Sequence, residues 1–256
     1  MRLDYASLLS PFPFLIEKVG SIKSPLLREI WHPQITYQGY NMYLSLLFLT
    51  PQTYFEQMDP SQSHWYQGLS EEEKSKVCMF DLIADNTGLQ DAYSKMLNFF
   101  LVEHVLWNPE SKVFLTFGDS EDDSLPVGVI HRGIFPELCD IILQRCGIDR
   151  KDADMDTAKI KSKRALEIAA KIKKGRQTAG GHKVPDKATE LPNLICAVAA
   201  KSNSLNFTNI WDLTVFQLYE QFKREQANVY FDIQKMTVAA YGNKQNTFTG
   251  NEWFKN

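Results

Sequence analysis

Asp81 and Asp85 stand four apart in "VCMFDLIADN", so a helix there sets both carboxylates on one face. Two carboxylates on one face can serve general acid/base chemistry, one giving a proton and the other taking it. The same spacing describes any solvated helix edge. The five histidines, His32, His64, His104, His131 and His182, form no HxH, HExxH or HxxxH pair. A metal centre would have to be gathered from distant segments. His104 has Leu101 and Trp107 three residues to either side and reads as a core or boundary histidine of an apolar helix. A hydrolase or transferase would draw on Asp81, Asp85, His104 and His131 as scattered contributors. No residue is assigned a catalytic, cofactor-binding or metal-binding role, no cofactor is expected, and the chain is expected not to be an enzyme.

Other stretches resemble active motifs only in part. "GRQTAGGHK" begins like the G-x-x-x-x-G of a phosphate loop. Gly181 and His182 then intervene before Lys183, and a basic helix rather than a buried strand precedes it, so its amides would not be aimed at a phosphate. "DSEDD" lacks the glycine and distal glutamate of a calcium-binding loop and reads as a solvated hairpin tip. No G-x-S-x-G elbow occurs. Cys78, Cys139, Cys146 and Cys196 make no CxxC pair and sit in apolar helical patterns. They read as buried, reduced thiols of a reducing compartment.

One feature makes a physical demand. Between Lys159 and Lys187 there are ten Lys or Arg residues against two acids, although the whole chain carries a net charge of -3. Lys159, Lys161, Lys163, Arg164, Lys171, Lys173, Lys174 and Arg176 would bind a phosphate backbone in a salt-dependent way. No Phe, Tyr or Trp lies among them for base stacking, so such binding would be unspecific. A solvated face, or a patch meeting an acidic partner, is the alternative.

The elements that would position these residues are mainly helical. Hydrophobic residues make up 44% of the 256 and charged residues 23%, enough apolar material for a core without staples. The Pro-rich start reads as an irregular arm, with "ITYQGY" as one N-terminal strand. Ser70 and Glu73 form a capping box, and Thr50-Pro51 opens another helix. "LQDAYSKMLNFFLVEHVLW" reads as one long helix ended by Asn108-Pro109. "KVFLTFG" and "VGVIHRG" read as a β-hairpin at about 112–132, and Pro136 opens "PELCDIILQRC". The expected class is mainly α with this small hairpin, or α+β if the hairpin is extended. Two parts are expected, 1–148 and 156–256, joined by "IDRKDADMD". No apolar run reaches the ~20 residues of a spanning helix, and the Pro-broken N-terminus does not fit a signal peptide, so no membrane partner is expected.

The last helix opens near Asp212 and ends at Gly242. Phe216, Tyr219, Phe222, Tyr230, Ile233, Met236 and Ala240 recur at three or four with one gap, while Val215, Leu218, Val229 and Phe231 lie off that stripe. A helix apolar on more than one face must be covered on more than one side, by its own domain or by another chain. "NIWDLTVFQLYEQFKREQ", "YFDIQKMTVAAYG" and "NEWFKN", over residues 209–256, together resemble the C-terminal pattern of tail proteins of tailed bacteriophages. The assembly-chaperone and tail-component type of phages of Gram-positive hosts is meant. The resemblance implies a non-enzymatic role in morphogenesis, with contacts to other tail proteins or to itself. It implies a place in the host cytoplasm during assembly, leaves open whether the protein stays in the virion, and carries over no catalytic residue. Under it, Trp211, Asp212 and Thr214 start the helix, and Trp211, Phe216, Tyr219, Phe222, Tyr230, Trp253 and Phe254 are the contact candidates. The alternative function is nucleic-acid association through 159–187.

Overall fold

The computed structural model describes residues 1–57, 60–118, 125–148, 190–243 and 248–250. The chain divides into two compact units, Met1–Pro25 with Glu29–Asp149, and Leu26–Arg28 with Arg150–Asn256. Helices dominate, with two small antiparallel sheets, as a mainly α or α+β chain requires.

The first unit opens with α1 (Tyr5–Leu9), capped by Asp4, whose carboxylate accepts from the Ser7 amide at 2.8 Å. A hairpin of β1 (Phe14–Ile16) and β2 (Gly20–Ile22) follows, so the N-terminal strand lies earlier than expected. "ITYQGY" is not a strand. It enters α3 (Thr36–Phe48), where Tyr40, Tyr43, Leu46 and Leu47 are buried at helical spacing. The period of these four residues, continued past Tyr40, outweighs the local alternation that suggested a strand. Between them, α2 (Leu27–Ile30) is a single turn. Then come α4 (Pro51–Gln57), α5 (Pro60–Gly68), α6 (Glu71–Lys76), α7 (Met79–Ala84) and α8 (Thr87–Phe100). The Ser70–Glu73 capping box forms in both directions at the start of α6.

The long helix expected from Leu89 to Trp107 stops at Phe100. The next residues pair elsewhere: the Val102 amide donates to Ser21 at 2.9 Å, and Leu101 bridges Ile22. The Asn98 side chain then receives the Val105 amide at 2.9 Å and donates to the Val105 carbonyl at 2.8 Å. This turns the chain into β3 (His104–Asn108), which joins β4 (Val113–Phe117) and β5 (Gly128–Ile130) in a three-stranded sheet. The expected hairpin is therefore present and extended by one strand. Val105, Phe114, Thr116 and Ile130 form its buried face. Gly128 must be glycine, because a Cβ there would stand 2.7 Å from the Lys18 and Val19 carbonyls and from Thr116 Oγ1.

Helix α9 (Phe135–Arg145) has Pro at its first turn and buries Leu138, Ile141, Ile142 and Leu143. Its last residue, Arg145, is 1% exposed. The guanidinium donates to the carbonyls of Ser7 at 2.9 Å, Ser10 at 3.2 Å and Phe12 at 2.7 Å, clasping the N-terminal arm. The cysteines differ from the expectation that all are buried. Cys139 and Cys146 are, but Cys78 is half-buried and Cys196 is exposed. Burial pushes the Cys146 thiol up to about 12.

In the second unit, α10 (Leu191–Lys201) packs against α11 (Val215–Tyr241). Leu26 bridges Thr214, the Leu27 amide donates to Leu213 at 2.9 Å, and Arg28 pairs with Asp212. Thr214 is the N-cap of α11, in a reciprocal capping box with Gln217, while Asp212 lies in the 3₁₀ turn Ile210–Asp212. Gly242, at φ 76°, ends the helix.

Candidate functional site

The residues named for chemistry are engaged separately. Asp81 accepts from Arg132 Nε at 2.8 Å and Nη2 at 3.0 Å, and from Cys78 Sγ at 3.1 Å. Burial pushes its carboxyl up, but the hydrogen bonds from Arg132 and Cys78 outweigh this and hold it below the usual carboxylate range. Asp85 instead accepts from Lys112 Nζ at 2.9 Å. His104 is exposed on β3 rather than set in a helix, opposite Phe117. His131 Nδ1 accepts from the Gly133 amide at 3.1 Å. Among the described residues no three His, Cys, Asp or Glu side chains gather as metal ligands.

The contact candidates on and before α11 divide by position. Phe216 is buried at its start. The Trp211 indole donates to the Phe207 carbonyl at 2.9 Å and is half-buried, as are Tyr219 and Phe222. Tyr230 is 61% exposed. Trp253 and Phe254 lie outside the described residues, and so does the whole basic patch from Lys159 to Arg176.

Helix α11 thus changes character along its length. Its first turns bury Val215, Phe216 and Leu218, whereas Val229, Tyr230, Ile233, Met236 and Tyr241 are 40%, 61%, 53%, 63% and 76% exposed. Twenty-seven residues make a rod of about 40 Å, against about 16 Å for the eleven of α10, so α10 can flank only part of it. Where they meet, a mostly apolar groove of about 360 Å³ is walled by Ala197, Val198 and Lys201 of α10 and Phe222, Val229 and Ile233 of α11. A polar hollow of about 380 Å³ adjoins it, lined by Asn203, Asn228, Phe231 and Asp232 and sharing Lys201, Glu225 and Val229. Soluble chains seldom leave a large contiguous apolar patch uncovered unless something binds there.

Val229 stood off the stripe in the sequence, yet here it faces the groove beside Phe222 and Ile233. Admitting the polar Gln226 to the stripe closes its gap and brings Val229 in. In the first unit, Leu106, Leu115 and Val129 form a cross-strand row on the outer face of the sheet, a second apolar surface the strand expectation did not reach.

The family described as YomV second domain matches residues 183–256, which hold α10 and α11. That domain is phage-associated, and the resemblance over residues 209–256 falls within the matched segment. No curated protein and no solved structure matches the chain.

Proposed function

We propose that this chain is a non-enzymatic structural or assembly protein of a phage tail or baseplate, acting through protein–protein contacts made by its second unit. The observation that carries this reading is the row of apolar residues exposed, among the described residues, on the C-terminal half of α11, inside the segment similar to a phage-associated domain. Burying such a row against another protein gains about 25 cal/mol per Å² before association costs are subtracted. The groove beside α10 gives the contact a shape as well as a composition, as when an amphipathic helix is laid into an apolar groove. No described helix is long and apolar enough to cross a membrane, which is compatible with assembly in the host cytoplasm.

The test is co-expression of the full chain with each tail and baseplate protein encoded beside it, followed by size-exclusion chromatography with light scattering. A stable co-eluting complex with at least one of them, or a self-assembled oligomer, is the expected result. A monomer of 29.4 kDa that co-elutes with none would overturn the proposal.

A further inference from the structure

The groove between α10 and α11 and the hollow beside it share Lys201, Glu225 and Val229, so together they make one depression with a polar end and an apolar end. Asn203, Asn228, Phe231 and Asp232 stand at the polar end. At the apolar end Ala197 and Val198 of α10 meet Phe222 and Ile233 of α11. Val229 and Ile233 are 40% and 53% exposed there. An apolar cleft with a few ionisable groups at its lip has the make-up of a binding site.

The chain itself leads to the polar end. After Gly242 stops α11, Asn243 Nδ2 donates to the Phe248 carbonyl at 2.9 Å, and the Phe248 amide donates to Asn243 Oδ1 at 3.3 Å. The Phe248 ring packs on Phe231 with centroids 5.3 Å apart. Phe231 lies about 16 Å back along the helix from Gly242, so the chain has doubled back toward the start of α11. Because Phe231 also walls the hollow, Phe248 brings the chain to the rim of the depression.

The sequence that follows matches the depression in order. The described residues end at Gly250, and the remaining sequence is "NEWFKN". Fully extended, these residues span about 20 Å, enough to cross the hollow and enter the groove. The polar Asn251 and Glu252 come first, as the polar hollow does, and the apolar Trp253 and Phe254 come next, as the groove does. The charges also complement. Lys201 and Glu225 are the ionisable groups shared by groove and hollow, and Glu252 and Lys255 flank the two aromatics with one charge of each sign. Asp232, in the hollow, pairs with Lys235 at 3.8 Å. The matched family segment, 183–256, holds α10, α11 and these last residues together.

We propose that residues 251–256 dock in this depression of their own chain, with Trp253 and Phe254 in the apolar groove, Lys255 against Glu225 and Glu252 against Lys201. Two large aromatics supply the apolar area, and the anchor at Phe248 keeps the loop to be closed short. The groove is then covered in the free chain, and a protein that binds through Val229 and Ile233 must displace the segment. The docking stands on the groove and on the returning chain, and does not depend on the phage reading.

Fluorine NMR of the full chain labelled with 5-fluorotryptophan tests it. The chain holds five tryptophans, and the line that W253F removes belongs to Trp253. That line should lie away from the position of free 5-fluorotryptophan and should not move on dilution. V229D/I233D, at two exposed positions, should return it to the free position, and the milder V229A/I233A should move it part of the way. The lines of Trp31, Trp65 and Trp107 in the first unit should stay in place in both variants, as a check on folding. A Trp253 line at the free position in the wild type would overturn the proposal. So would a displaced line indifferent to both variants, or one that reaches the free position on dilution, which would put the segment in the groove of another copy. Any of these results, beside a co-eluting complex with a tail protein, would strike the docking and leave the proposed function standing.

Discussion

At the scale of single residues, the chain uses its polar groups to hold shape. Arg145 is the clearest case, a buried guanidinium that satisfies three carbonyls of the N-terminal arm. Replacing it by Met keeps the bulk and removes every donor. R145M should lower unfolding stability by about 2–4 kcal/mol in urea titrations, since three carbonyls then lose their partner. It should also speed proteolysis within the first thirteen residues. Asp81 makes a pH-dependent contribution. Its folded pKa lies below the ordinary value near 3.9, so its stabilisation is present above that value and is lost as pH falls through the lowered one. D81N should therefore melt below the wild type at pH 7, and the two melting curves should converge below about pH 4. A gap of constant size across that range would assign the loss to packing rather than to the Arg132 pair.

At the scale of elements, caps and periods were legible in the residues, and long-range pairing was not. The Ser70–Glu73 box, the Pro136 start of α9 and the Gly242 stop of α11 are local chemistry, read from side chains within one turn. The end of α8 depends on Leu101 and Val102 meeting β2, about eighty residues back in the chain, and no local pattern near Phe100 announces it. "ITYQGY" failed for the opposite reason: a six-residue window sees alternation where the longer α3 window sees helical period. For the candidate site, Phe222, Tyr230 and Ile233 were legible as a stripe. The part played by Val229 needed α10 beside it, because the groove exists only where the two helices meet. The cap of α11 gives a direct check. Thr214 is fully buried and exchanges two hydrogen bonds with Gln217, at 3.0 and 3.1 Å. T214A should cost about 1–2 kcal/mol in thermal or urea unfolding, and T214S should recover most of it.

At the scale of the whole molecule, the uneven covering of α11 is what ties structure to function. The proposed contact rests on a helix that is buried at its start and whose Val229, Tyr230, Ile233 and Met236 are exposed among the described residues. The most direct measurement is light scattering of the full chain, alone and mixed with each co-encoded tail protein, comparing the wild type with I233D/M236D. The expected result is a wild-type assembly heavier than 29.4 kDa that the doubly substituted chain cannot form, although its circular dichroism and melting temperature are unchanged. Assemblies of equal mass for both chains, or a wild type that stays monomeric in every mixture, would contradict a contact surface on α11.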